Sequence, residues 1–299
     1  MERTVTYLTH DIPVRGGTLR VGEWRPDNSP DAPTIIAAHG ITASHLAWAK
    51  IADEIPEARL IAPDLRGRGR SAQLPGPYGM AEHARDLVSV SQTLDLDPAL
   101  ITGHSMGGFV ALVAAHLYPE YFNGPLLIDG GLPLEVPAGT PTGAAPVPTL
   151  GPAADRLSMT FPTRDSYLEF WQKHPAFASE WNEKVEDYVN YDLVGTEPEL
   201  RASTSLAAMR EDSAELFAGE SVLAALSEPQ RPLTLLTAPR GLLDETPGLY
   251  SAAAVARWRE KLPDITIREV ADVNHYTIVM GSGATTVASA LRAELAAQR

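Results

Sequence analysis

The residues Gly103-His104-Ser105-Met106-Gly107 place a serine between two glycines in the pattern G-x-S-x-G. Such spacing suits a serine held on a very tight turn between a strand and a helix, its oxygen pushed into a cleft while the glycines let neighbouring backbone close in. A serine hydroxyl is a weak nucleophile and needs a base within hydrogen-bond reach. Of the eight histidines, only His275, in DVNHYTIVMG, falls in a loop after the last expected strand and before the last expected helix. His45, His83, His116 and His174 read as solvated residues of helical or surface stretches, and none forms an H-E-x-x-H or similar metal cluster. His39 reads as a hydrogen-bonded core residue that shapes its loop. A carboxylate must fix the imidazole tautomer. Two compete: Asp244, preferred because it follows the strand PLTLLTA and gives the order Ser, Asp, His, and Asp129, which ends the strand PLLID. Asp272 reads as a loop-shaping residue. Two backbone N–H groups are then needed for a developing oxyanion, and Met106 and Ile41 are the candidates.

The elements that must position these groups follow from the apolar pattern. Residues around Gly16-Gly17 read as a hairpin. TIIAAHG, RLIAPD, ALITGHS and PLLID are short apolar runs followed by helical or loop stretches. Strands apolar on both faces and alternating with helices predict a mainly parallel sheet covered on both sides. After Leu132 the pattern breaks into a proline- and glycine-rich stretch, Pro133–Pro152, and then three helical segments, the first capped by Thr163. Residues 132–230 are therefore expected to form a helical lid inserted into a core of residues 1–131 and 231–299. PLTLLTA, a helix near Ala252–Lys261, the strand TIREV and a last helix from Thr285 complete that core.

Four blocks in order, HGIT, DLRGRGRS, GHSMGG and the late NHY, resemble the α/β-hydrolase superfamily in its serine-nucleophile branch. The resemblance implies an eight-stranded, mainly parallel sheet and an enzyme needing no cofactor. Within the second block, Asp64 and Arg66 are expected to tie their loop together by charged hydrogen bonds. Relatives that open carbon–halogen bonds or epoxides place Asp where this chain has Ser105. Serine instead points to acyl transfer on a carboxylic ester or lactone. Carbon–carbon bond hydrolysis, cofactor-free perhydrolase or haloperoxidase chemistry, and a non-catalytic ligand-binding protein remain alternatives.

Composition narrows the partners. The formal net charge is −14, from 38 acidic and 24 basic residues, which disfavours nucleic acid, whose binding leans on Lys and Arg. With no cysteine, disulfides, thiolate metal sites and a cysteine nucleophile are excluded. The N-terminus lacks a signal-peptide layout and no apolar run reaches membrane-spanning length, so no membrane partner and a cytoplasmic location are expected. The lid carries Phe161, Tyr167, Phe170, Trp171, Phe177, Trp181, Tyr188 and Tyr191. Phe170 and Trp171, with Tyr276 beside the base, are the candidate walls of a pocket for a small ester-like substrate. Arg201 and Arg210 read as surface residues.

Overall fold

The computed structural model describes residues 5–27, 29–135, 155–229 and 231–298. Its main sheet has eight strands in the order β1-β2-β4-β3-β5-β6-β9-β10. These are β1 (Val5–Val14), β2 (Gly17–Pro26), β3 (Thr34–Ala38), β4 (Arg59–Pro63), β5 (Ala99–His104), β6 (Phe122–Ile128), β9 (Thr234–Thr237) and β10 (Thr266–Glu269). Only β2 runs against its neighbours; the pairs from β4 to β10 are all parallel. Val14 pairs with Gly17, so the hairpin turns on Arg15-Gly16.

Side chains alternate along each central strand, and both faces are covered. Ile36, Ile101, Leu127 and Leu235 join one core, which includes α2 (Met80–Thr93) and α3 (Met106–Leu117), with Val255 and Trp258 of α8 (Ala252–Lys261) packed against it. Ile35, Leu100, Leu126 and Leu236 join the other, with α1 (Ala49–Glu54), α9 (Thr277–Met280) and α10 (Ala284–Ala297). α3 is buried from Met106 through Ala115, which accounts for its apolar character on every side.

Between β6 and β9, which are bonded neighbours, lie α4 (Arg164–Gln172), α5 (Glu183–Asp192), α6 (Leu206–Ala218) and α7 (Glu220–Ser227), together with the short strands β7 (Leu193–Val194) and β8 (Arg201–Ala202). Thr163 caps α4 in a reciprocal capping box with Ser166. The sequence reading expected three helices here; α7 is a further one among the described residues, begun where extended backbone at Gly219 ends α6. Most of the proline-rich stretch, residues 136–154, lies outside the described residues. Among the described residues no helix is long and apolar enough to cross a membrane.

Candidate active site

β5 runs straight into α3 through Ser105, whose backbone sits at φ 55°, ψ −126°. A non-glycine residue at positive φ is strained, by about 1–3 kcal/mol, and persists only where its surroundings hold it. Here Ser105 N–H donates to Ile128 O at 2.9 Å and its carbonyl accepts from Gly108 N–H at 2.9 Å. A side chain at Gly103 would overlap the Gly107 carbonyl, and one at Gly107 would overlap that of Ala38. The two glycines are thus required by close backbone approach on either side of the serine.

His275 follows β10 and is 4% exposed. Its Nδ1 lies 2.7 Å from Asp129 Oδ2. Asp129 is fully buried, at φ 42°, with its N–H on Leu236 O and its Oδ1 accepting from Ala238 N–H at 3.0 Å. With its Nδ1–H donated to a fixed carboxylate, the ring keeps Nε2 free as a base. His104, next to the serine, has Nε2 2.7 Å from His275 O, and the two rings are 4.6 Å apart. Burial, and then the neighbouring His275, push His104 well below the ordinary histidine range. A neutral His104 therefore donates to that carbonyl and adds no second charge beside the base.

Asp244, the preferred carboxylate on chain order, does not meet His275. It stands on an exposed loop beyond β9, where its Oδ1 pairs with Arg240 Nε at 2.8 Å and accepts from Asn274 Nδ2 at 2.9 Å. The physical reason is sheet order. β6 is bonded to both β5 and β9, so a residue at its very end reaches the serine and histidine, whereas Asp244 is seven residues past the end of β9. A signal was available: Asp129 abuts its strand and is followed by Gly130-Gly131, and a side chain at Gly130 would overlap Ser105.

The loop after β3 holds the second candidate N–H donor. His39 is fully buried; its Nδ1 is 2.8 Å from Gly40 O, and its Nε2 accepts from Leu65 N–H at 2.9 Å. That fixes the tautomer: Nδ1 carries the proton. Burial lowers its pKa to about 3, so it stays neutral. Gly40 O also accepts from Ala43 N–H at 3.1 Å. The peptide joining Gly40 to Ile41 is therefore gripped by its carbonyl, and the Ile41 N–H meets no acceptor among the described residues. Met106 N–H opens α3, where an intrahelical acceptor is lacking and the helix dipole is positive.

Ser105, His275, Asp129, Ile41 and Met106 line one cavity of about 40 Å³. Tyr188 and Tyr276 also line it. Burial pushes both phenols above their ordinary range, so they remain donors. Leu134, Leu242, Leu249 and Tyr276 connect this cavity to an outer one of about 650 Å³, where Phe170, Trp171 and His174 stand with Arg156. Of the other aromatics in this segment, Phe161, Tyr167 and Phe177 pack into the core.

Arg156 was not anticipated. It is buried, bonded to Tyr167 and Asp192, and its Nη2 lies 3.3 Å from Thr42 O. Arg201 and Arg210 are exposed. Arg66 makes two bonds to Asp86, while Asp64 bonds His45, Arg70 N–H and Tyr191. His45 and His83, expected to be solvated, are fully buried because Asp64 and Asp212 give them partners inside.

Known proteins resemble parts of this chain. A stretch of 107 residues is 30% identical to Lipase LipV of Mycobacterium tuberculosis (strain ATCC 25618 / H37Rv), covering 36% of this chain and 41% of that protein. Another, of 165 residues, is 28% identical to a Bacillus subtilis (strain 168) protein provisionally named 2-succinyl-6-hydroxy-2,4-cyclohexadiene-1-carboxylate synthase, covering 52% and 56%. The chain thus spans under two thirds of the length of these curated relatives. In fold it is similar to E-2-(acetamidomethylene)succinate hydrolase, with a TM-score of 0.77 over 97% of this chain and 100% of that one at 19% identity. A thioesterase domain from the curacin biosynthetic pathway gives 0.72 over 96% and 99% at 23% identity. The family profile described as alpha/beta hydrolase fold matches residues 33–192, more than half of the sequence, and the protein belongs to that family.

Proposed function

We propose that the protein hydrolyses carboxylic esters through an acyl-enzyme on Ser105, with His275 as base and Asp129 as its orienting carboxylate. The observation that carries this reading is the 2.7 Å contact from His275 Nδ1 to the buried Asp129, in a cavity that also holds the strained Ser105. Ser105 Oγ attacks the ester carbon and its proton passes to His275 Nε2. The carbonyl oxygen becomes an oxyanion facing the Ile41 and Met106 N–H groups. Collapse expels the alkoxide, which takes the proton from His275 and leaves as alcohol. Water, deprotonated by the same nitrogen, then attacks the acyl-serine, releasing the acid and restoring Ser105.

The small inner cavity suits a short acyl group, and the wider outer one suits the alcohol part, with Phe170, Trp171 and Tyr276 as its aromatic walls. The test is a panel of p-nitrophenyl esters from acetate to palmitate with wild type and Ser105→Ala. Turnover of acetate to butyrate that vanishes in Ser105→Ala is expected. Undiminished turnover in that variant would overturn the assignment.

A further inference from the structure

Arg68 lies in the same block as Arg66, DLRGRGRS, yet makes different contacts. It is fully buried. Its Nε donates to Ile41 O at 2.9 Å, its Nη1 to Arg66 O at 2.8 Å, and its Nη2 points to Met106 Sδ at 3.7 Å. The charge is met by Asp212 of α6, whose Oδ2 is 2.5 Å from Nη1. Asp212 is itself fully buried and is held by His83 Nε2 at 3.0 Å and Gly79 N–H at 2.6 Å.

One guanidinium therefore touches both residues whose N–H groups face the reacting oxygen. Arg68 is the sole donor to the Ile41 carbonyl among the described residues. Remove it and the peptide after Ile41 loses its only hydrogen bond, while the Met106 side chain loses its polar neighbour. The Ile41 N–H lies in the preceding peptide, whose Gly40 carbonyl stays held by His39 and Ala43; losing Arg68 frees the other side of Ile41 and the Met106 side chain, and catalysis is sensitive to misplacement of about 1 Å. The charge itself is neutralised by Asp212, so the effect is one of geometry.

We propose that Arg68 is a positioning residue of the oxyanion hole, complementing the grip of His39 and Ala43 on Gly40 and locked in place by Asp212 from the helical segment between β6 and β9. This rests on the Ser105 reading above. It also means that the hole is assembled only when that segment is seated.

The experiment uses the full chain with Arg68→Lys, which keeps a charge for Asp212 but cannot span all three contacts. Arg68→Met/Asp212→Asn serves as a second variant that leaves no unpaired buried charge. Three quantities are read in each: the rate at which a fluorophosphonate labels Ser105, the affinity of an alkyl boronic acid that forms a tetrahedral adduct on Ser105, and the affinity of a non-hydrolysable amide analogue.

Both variants should label about tenfold or more slowly and lose boronate affinity by a similar factor. Amide affinity should stay within about twofold, and the acid limb of the pH profile should not move, because the His275–Asp129 arm is untouched. Wild-type labelling in a variant that melts like the parent would overturn the proposal, as would equal losses for boronate and amide. If the parent protein were neither labelled nor active on esters, the Ser105 reading would fall first, before any change at Arg68, and the hole with it.

Discussion

At the scale of single residues, the sharpest consequence is the contrast between two aspartates. Asp129→Asn should lower kcat on the order of 10⁴-fold, because the amide stabilises the wrong imidazole tautomer and cannot support an imidazolium. Asp244→Asn should change kcat by no more than a few-fold, since among the described residues the Asp244 side chain reaches Arg240 and Asn274 and not His275. Ester kinetics on both variants decide this, and a larger loss at Asp244 would refute the geometry. Activity should also fall toward acid, because a protonated imidazole cannot accept the Ser105 proton. That Ser105, His275, Ile41 and Met106 come together around one cavity was legible in the sequence, because each is tied to a local motif or to its place beside a strand. The carboxylate was not, because its choice depends on which strand ends lie side by side. Arg156, Arg68 and His104 were hidden for the same reason: each acts on a loop remote in sequence.

At the scale of elements, the turn from β5 into α3 tolerates no added carbon on its inner side. Gly103→Ala would drive a methyl group into the Gly107 carbonyl, and no side-chain rotation relieves a clash with backbone. This variant should lose several kcal/mol, at the upper end of single substitutions, read as a large drop in urea midpoint or as insoluble protein. Thr163→Ala provides the mild comparison: it removes the α4 cap and should cost about 1 kcal/mol, with the β5–α3 turn intact. The cap was readable because its chemistry is complete within Thr163–Ser166. The burial of His45 and His83 was not, since a helical stretch with a polar residue reads the same whether or not Asp64 or Asp212 waits opposite.

At the scale of the whole molecule, buried neutral histidines set the response to acid. His39 has its pKa lowered from 6.5 to about 3 by burial, and His104 is lowered as well. Below pH 6.5 the unfolded chain takes up protons on these rings that the folded chain refuses. Stability present above that pH is therefore lost as pH falls, for His39 by up to about 1.4 kcal/mol per unit between the two values, and His104 acts in the same direction. Asp64 acts lower. Burial opposes its charge, but His45 and Tyr191 bring it from 3.8 to about 2, so its contribution disappears only between those values. Urea unfolding at pH 7.5, 6 and 5 should show a falling free energy, more steeply in the second of the two steps; a flat profile would contradict the buried, neutral state of His39 and His104. The fold also divides labour in a way that bears on how such a chain can diversify. Ser105 and Asp129 precede the helical segment and His275 follows it, while β6 and β9 bond directly to each other. On the reading proposed above, that segment is an exchangeable cassette: it can be lengthened, replaced or re-lined while Ser105, Asp129 and His275 keep their places on the sheet. One condition limits the exchange. Any incoming cassette must carry an acidic side chain to the place of Asp212, or it inherits a buried arginine with no counter-charge.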